Sequence, residues 1–525
     1  MSEWTWWKHG VVYQIYPRSF MDSNGDGIGD LRGIIDRLDH VADLGVDAVW
    51  LSPFYPSPMN DFGYDIADYC DVDPAFGTLD DADELIAACH ERDLRLIVDF
   101  VPNHTSDRHP WFIESRSSRS NPKRDWYLWR DPKPDGSEPN NWLANFGGRT
   151  WTFDETTGQY YLHLFLPSQP DLNWRNPDVK AAMFDVLRFW LDRGVDGFRI
   201  DVAHMIMKHP ELQDNPPAPA GHVSGLQARL PYDSQIHIND MGHPDIHAIF
   251  RDMRSLVDGF PQRYLVGEIP EHDLTKWASY YGDGDELHMP FNFSLMLLAW
   301  EAAAYRDAVD RVEAAIPDHA WPNHVLGNHD VTRVATRAGT ADRARVAMMM
   351  LLTLRGTPTM YYGDEIGLVE AMIPPDRIRD PWALREEGQG RDGCRTPMLW
   401  TTGPDAGFGA EDPWLPLGPM AGTTSVASQV ADTQSMLSLT KALLQLRRAT
   451  PALHRGAYRS LDGPDGCFAY ERIDGSDRLV IALNFTAAPV TVDLSGDVIL
   501  STMLDRTGQT AALTLRPDEG VVLRV

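Results

Sequence analysis

Along this chain, short runs of apolar and β-branched residues alternate with longer segments whose apolar positions recur every three to four residues. The runs fall at 11–16, 48–51, 94–101, 197–201, 263–268, 287–291, 324–327 and 357–362. Segments such as 31–44, 79–92, 179–193 and 341–354 carry helical spacing. Strand–helix alternation of this kind predicts a parallel sheet. Eight repeats over about 440 residues predict an α/β fold, a (β/α)8 TIM barrel with insertions.

Two stretches break the rhythm. Residues 104–176 are rich in Trp, Pro, Asn and Gly, and read as a lobe inserted between the third strand and its helix. Residues 369–430, rich in Pro and Gly, read as a second loop over the barrel mouth. After Arg447 the helical period stops. The runs 467–472, 478–484, 489–494, 498–503 and 520–525 read as short antiparallel strands. The expected organisation is therefore a barrel in two parts, 1–103 and 177–450. An inserted domain at 104–176 divides them, and a C-terminal antiparallel β-domain follows at 451–525.

Charge narrows the partners. The chain has 76 acidic and 47 basic residues among 525, a formal net charge of −29. Nucleic acid is excluded, since phosphate binding takes a basic surface. Anionic membranes are disfavoured too, whereas a neutral sugar is not. The apolar run 346–352 is too short to span a bilayer. The N-terminus lacks a basic stretch followed by an apolar one, so no signal peptide is expected. Cys70, Cys89, Cys394 and Cys467 show no C-x-x-C spacing and read as free thiols. Together these features place the expectation in the cytoplasm.

In a barrel of this type the site lies at the C-terminal ends of the strands. Asp99, Asp201, Glu268 and Asp330 all fall at or near such ends, and His104 and His329 lie just beyond. Any one carboxylate there could be a helix cap or turn residue. Four of them, with two histidines and Arg199, point to chemistry. Cleavage of a glycosidic bond needs one carboxylate as nucleophile and one carboxylic acid as proton donor. A third can stabilise the cationic transition state.

The strings Asp99-Phe100-Val101-Pro102-Asn103-His104, Gly197-Phe198-Arg199-Ile200-Asp201, Gly267-Glu268 and Asn328-His329-Asp330 resemble, in order and spacing, the motifs of the α-amylase superfamily, glycoside hydrolase family 13. Gln169-Pro170-Asp171-Leu172-Asn173-Trp174 resembles its additional region near the end of the inserted lobe. The resemblance runs from Val12 to the C-terminal β-domain. It implies a retaining mechanism with Asp201 as nucleophile, Glu268 as acid/base and Asp330 as transition-state stabiliser. His104, His329 and Asp330 would grip sugar hydroxyls. Asp61 and Tyr64 match the family's pair for the non-reducing glucose. Arg395, in Arg395-Thr396-Pro397-Met398, resembles a sugar-contacting arginine of its α-glucosidase group, with Arg391 close by as the alternative. Trp50 and Trp400 are the tryptophans expected at the pocket rim.

Physical chemistry adds two expectations. Arg199, two residues before Asp201 on the same strand, points to the same side and would hold the Asp201 pKa low. A neighbouring anion and partial desolvation would keep Glu268 protonated.

A second signal is Asp22-Ser23-Asn24-Gly25-Asp26-Gly27-Ile28-Gly29-Asp30. Oxygen donors at alternate positions resemble the start of an EF-hand loop, but Gly33 stands where its closing glutamate belongs. The string is similar to a calcium loop of oligosaccharide-cleaving family members. That likeness implies a structural Ca2+ held by the side chains of Asp22, Asn24, Asp26 and Asp30 and the carbonyl of Ile28. The other reading is a turn whose side chains cap the backbone.

The implied activity is that of an exo-acting α-glucosidase of the oligo-1,6-glucosidase-like group, releasing glucose from short oligosaccharides or α-glucosides. Val202 matches the residue type that accompanies α-1,6 cleavage in the family. A transglucosylase or a sucrose/trehalose-type isomerase would use the same carboxylates. A non-catalytic relative, such as an amino-acid-transporter heavy chain, would lack them and carry a membrane segment.

Overall fold

The computed structural model describes residues 4–225, 228–229, 231–386 and 388–525. Its barrel and lobe strands are β1 (Val12–Ile15), β2 (Ala48–Leu51), β3 (Arg95–Phe100), β4 (Trp129–Arg130), β5 (Trp151–Asp154), β6 (Gln159–Leu162), β7 (Gly197–Ile200), β8 (Tyr264–Gly267), β9 (Met289–Pro290), β10 (Asn323–Val325) and β11 (Thr357–Tyr361). Eight of them form one sheet in the order β10-β11-β1-β2-β3-β7-β8-β9, with every paired neighbour parallel. Among the described residues no ladder joins β9 to β10, and the barrel is nearly closed. The Asn292 side chain, just past β9, donates to His324 Nδ1 on β10 at 3.4 Å.

Local chemistry sets where each unit stops. Asp30 accepts from the Gly33 amide at 2.6 Å and starts the helix Leu31–Leu44, which Gly45 ends at φ 92°. Thr78 and Asp81 form a capping box on the helix Leu79–Glu91. Asn176 caps Pro177–Arg193 with proline in its first turn. The strands are short and buried along nearly their whole length, as parallel strands covered on both faces must be.

Three interruptions build the mouth. The lobe after β3 contains the sheet β4-β6-β5. The segment after β11 contributes the helix Pro381–Arg385. The third was not visible as a break in the pattern. Between β7 and the helix Ile246–Val257, the helical elements among the described residues are two 3-10 turns, Ala203–Met205 and Tyr232–Ser234.

Beyond the helix Met436–Ala449, strands β12 (Ala457–Leu461), β13 (Cys467–Asp474), β14 (Asp477–Asn484), β15 (Val490–Val492), β16 (Gly496–Ser501), β17 (Gly508–Thr510), β18 (Leu513–Leu515) and β19 (Gly520–Arg524) follow. Six form an antiparallel sheet, β12-β13-β14-β19-β16-β17, and β15 pairs with β18. Strands β12, β17 and β18 lie outside the apolar runs of the sequence. In β12 and β17 the residues are half-buried or exposed, so no hydrophobic period marks them, and β18 alternates buried and exposed over only three residues, too short a run to stand out. Among the described residues, no helix is long and apolar enough to cross a membrane, and all four cysteines are free.

Candidate active site

Strand register places the first two charged groups. Asp99 on β3 stands opposite Arg199 on β7, and both side chains are buried. Arg199 Nη1 donates to Asp99 Oδ1 at 2.6 Å and to Asp201 Oδ1 at 2.7 Å, and Nη2 donates to Glu268 Oε2 at 2.5 Å. One guanidinium therefore serves three carboxylates, from the ends of β3, β7 and β8. The Val202 amide adds a bond to Glu268 Oε2 at 3.1 Å. Val202 itself sits at φ 35°, an unusual conformation for a β-branched residue.

A relay continues from Asp99. Tyr64 donates its hydroxyl to Asp99 Oδ2 at 3.3 Å and lies 2.8 Å from His329 Nε2. Its ring is parallel to the imidazole, with centroids 5.4 Å apart. Gln14 on β1 donates to His329 Nδ1 at 2.8 Å. Trp50 donates to Asp99 Oδ2 at 3.1 Å, so it braces the barrel interior and does not line the pocket. Trp400 bonds the Phe20 carbonyl and is likewise buried away from the rim. The rim tryptophan is Trp382.

A second set of charges closes the far wall. Arg391 Nη2 donates to Asp61 Oδ1 and to Asp380 Oδ1, both at 2.8 Å, and Nη1 reaches Asp330 Oδ1 at 3.3 Å. Arg395 Nη2 donates to Asp330 Oδ1 at 2.9 Å and its Nε to the His329 carbonyl at 2.7 Å. Arg395 is fully buried behind Asp330 and does not line the pocket, whereas Arg391 does. The residue placed to meet a ligand is thus Arg391, and Arg395 holds Asp330 from behind. Asp380 had no functional signal in the sequence, because Asp380-Pro381 reads as a helix cap, which it also is.

The carboxylates and arginines surround one cavity of about 1020 Å3, counting its opening to solvent. That is the size of a small-molecule pocket. Asp61, Tyr64, His104, Asp201, Glu268, His329 and Asp330 all face it, and Arg199 lies beneath. The outer wall is apolar: Phe146 and Phe165 from the lobe, Tyr232 and Met241 from the segment after β7, and Trp382. These wall residues were missed because they lie in segments without a periodic pattern.

The electrostatics correct one expectation. Arg199 does not hold Asp201 low. Burial pushes the Asp201 carboxyl well above its usual range, Arg199 opposes this, and Glu268, Asp99 and Asp330 raise it further. Arg199 is one cation shared among three carboxylates, so its attraction does not offset the burial of Asp201. Burial likewise raises Asp99 to about 6 against the pull of Arg199. Asp330 goes the other way. Burial raises its pKa, but charged neighbours outweigh burial and hold it well below the carboxylate range. An imidazolium at His329 would be the strongest of these. Burial keeps His329 neutral, which leaves Arg391, Arg395 and Arg199 as the cations. Burial also keeps His104 neutral, with a pKa lowered to about 4.

The loop after β1 lies apart from this cavity. Asp22 Oδ1 accepts from the amides of Asn24 (3.0 Å) and Gly25 (2.7 Å), and Oδ2 from Gly27 (2.7 Å). Asn24 Oδ1 takes the Asp26 amide and Asp26 Oδ1 the Ile28 amide, both at 2.9 Å. Asp30 caps its helix and accepts from Ser23. The donor types suit Ca2+. The arrangement does not by itself make a cage, since among the described residues no three His, Cys, Asp or Glu side chains converge as metal ligands.

Comparison with known proteins agrees with this geometry. Residues 14–456 match the model of the α-amylase catalytic domain, and 454–522 match a domain of unknown function. The chain is 44% identical over 506 residues to a probable α-glucosidase of Rhizobium meliloti, covering 93% of this chain and 91% of that one. It is 38% identical over 571 residues to the oligo-1,6-glucosidase of Parageobacillus thermoglucosidasius, covering 100% and 99%. Among solved structures, the α-glucosyl transfer enzyme XgtA superposes with a TM-score of 0.95 at 42% identity, covering 99% and 100%. The trehalulose synthase MutB from Pseudomonas mesoacidophila gives 0.89 at 34%, covering 99% of each chain. With its carboxylates on a shared arginine at the mouth of an eightfold barrel, the chain belongs to the α-amylase superfamily, glycoside hydrolase family 13, as an enzyme of the α-glucosidase type.

Proposed function

We propose that this protein is a retaining, exo-acting α-glucosidase that removes terminal glucose from short oligosaccharides or α-glucosides through a covalent glucosyl-enzyme. One observation carries the reading: Asp201 and Glu268 bind the two terminal nitrogens of the same guanidinium, at 2.7 and 2.5 Å. Side-by-side carboxyls suit the retaining spacing of about 5–5.5 Å, which leaves no room for water between base and sugar. Asp201 attacks the anomeric carbon while Glu268 protonates the leaving oxygen. Glycosylation of Asp201 removes its charge, and Glu268 then takes a proton from the incoming water. Asp330, held ionised by its arginines, faces the positive charge that develops on the ring. Asp61, braced by Arg391, and Tyr64 close the pocket behind the terminal sugar, which supports exo action. Free thiols at all four cysteines support a reducing, cytoplasmic setting. Ca2+ on the loop after β1 remains part of the proposal, in a structural role.

A second reading is supported by the apolar outer wall. Phe146, Phe165, Tyr232 and Trp382 can shield the glucosyl-enzyme from water, and the structural neighbours include a glucosyl transfer enzyme and a trehalulose synthase. Transfer of glucose to a sugar or another alcohol would then compete with hydrolysis.

Chromatography of products from maltose, isomaltose, sucrose and trehalose tests both readings. Free glucose in step with substrate loss supports hydrolysis. New glucosides without matching free glucose support transfer, and four intact substrates would sink both. Val202 lines the pocket beside Asp201, so Val202→Ala is expected to shift the isomaltose-to-maltose rate ratio toward maltose. An unchanged ratio removes Val202 from linkage choice.

A further inference from the structure

Seven residues past Asp201, the chain returns a lysine to the seam between barrel and lobe. Lys208 is only 4% exposed. Its ammonium lies 2.7 Å from Asn103 Oδ1 and 2.7 Å from Asp171 Oδ2. Asn103 sits one residue before His104, three residues past β3, and is fully buried. Its side-chain nitrogen is 3.0 Å from His104 Nδ1. Asp171 pairs with His104 through a backbone bridge.

The hydrogen-bond inventory of these groups fixes the proton positions. An ammonium only donates, so the Asn103 oxygen must face Lys208. The Asn103 NH2 then faces His104, and it too only donates. His104 Nδ1 must therefore be bare, and the ring proton must sit on Nε2. Nε2 lies 3.1 Å from the Tyr64 carbonyl, which only accepts, and 3.1 Å from the Gln169 amide nitrogen, which also donates to Asp61 Oδ2 at 3.2 Å. With Nδ1 bare, the proton of the neutral ring sits on Nε2 and faces the Tyr64 carbonyl.

We propose that Lys208 is a positioning residue for the glucosidase reaction: through Asn103 it locks His104 as the neutral Nε2–H tautomer and so makes it a hydrogen-bond donor at the pocket wall. The role of His104 toward a sugar hydroxyl rests on the function proposed above. The relay itself rests on the buried contacts alone. Groups that bear on the His104 ring are Asp171 and Lys208 as charges, the Tyr64 carbonyl, the Gln169 amide with Asp61 beyond it, and the Phe165 ring at 5.2 Å.

The discriminating variant is Asn103→Asp. It has nearly the same shape and keeps a partner for Lys208, but a carboxylate cannot donate to Nδ1. The imidazole must then place a proton on Nδ1, and with the Tyr64 carbonyl on its other side it is driven toward the doubly protonated form. NMR of protein with 15N-labelled histidine reads this directly, with the His104 signal assigned by its loss in His104→Gln. Wild type should show a neutral Nε2–H ring down to about pH 5, and Asn103→Asp an imidazolium near pH 7. With maltose or isomaltose, whichever wild type cleaves, the imidazolium of Asn103→Asp keeps its Nε2–H, so kcat/KM relative to wild type should fall about tenfold, the worth of one hydrogen bond, as pH rises and the ring is left with Nδ1–H alone. Lys208→Met should give mixed tautomers, because Asn103 is then free to turn over.

A wild-type Nδ1–H signal, or the same tautomer in wild type and Asn103→Asp, would overturn the relay. A wild type that cleaves no glucoside but shows the tautomer change would sink the proposed function and leave the relay standing.

Discussion

Two sets of buried arginines sit at opposite ends of the barrel and do different work. At the mouth, Arg199, Arg391 and Arg395 are bound by carboxylates, and that company raises the pKa of each. Near the C-terminal domain, Arg447 and Arg472 are just as buried, yet among the described residues no carboxylate lies within ion-pair distance of either. Arg447 donates to the carbonyls of Leu352, Leu354 and Gly356. Arg472 donates to Thr353 at 2.6 Å and Gly456 at 2.9 Å. The carbonyls of Leu352, Thr353, Leu354 and Gly356 end the helix Ala341–Thr353 and its following turn, where a cation suits the helix dipole, and Gly456 lies just past the short helix Pro451–His454. Burial lowers Arg447 to about 10 and Arg472 to about 9, and both stay charged at neutral pH. The same residue type thus tunes acidity at one end and, at the other, ties helix ends together, with Arg472 joining the C-terminal strands to the barrel. What differs is whether the acceptors can titrate.

The strongest break in the comparison is Asp201→Asn. It should lower kcat by at least about 10^4-fold, the scale of losing a reacting side chain, while the melting temperature holds or rises. A kcat within tenfold of wild type would remove Asp201 as nucleophile. Asp99→Asn isolates the pH behaviour of the mouth. Asp99 is raised to about 6 when folded, so the folded state binds its proton more tightly than the unfolded chain does. Its contribution favours folding below the unfolded pKa and is lost as pH rises through about 6. Asp99→Asn should therefore gain stability over wild type between pH 4 and 6, by up to about 3 kcal/mol, although activity falls. A melting-temperature difference that stays constant with pH would contradict this. At the other end, Arg472→Met leaves two buried carbonyls without a donor. It should cost about 1–3 kcal/mol with kcat unchanged, and any change in the pH profile would erase the distinction between the two sets. The smallest effect concerns the loop after β1. Melting in EGTA should fall slightly and return with added Ca2+. Identical melting curves would mean that the Asx turns of Asp22, Asn24 and Asp26 hold this loop unaided.

Much of the site was legible because strands carry their own markers. Asp201, Glu268 and Asp330 each follow an apolar run, and the order of the strings is a property of the chain. Asp380, Tyr232 and Trp382 were not legible. They lie in aperiodic segments, and proximity to the pocket comes only from how those segments cross the mouth. Lys208 gave no signal either, because a lysine in a loop is ordinarily solvated.

The sequence by itself determined the eight-strand alternation, the caps that start and stop its helices, and which carboxylates stand at strand ends. Those follow from periods of two and of three to four residues and from side chains reaching nearby amides, all local properties. Tertiary structure decided the rest. Arg391 takes the rim and Arg395 the back of Asp330. Arg199 is spread over three carboxylates, so Asp201 is raised where one arginine on the same strand had implied the reverse. Charge state depends on every group within a few ångströms and on burial. Neither exists until strands distant in the chain have closed the barrel.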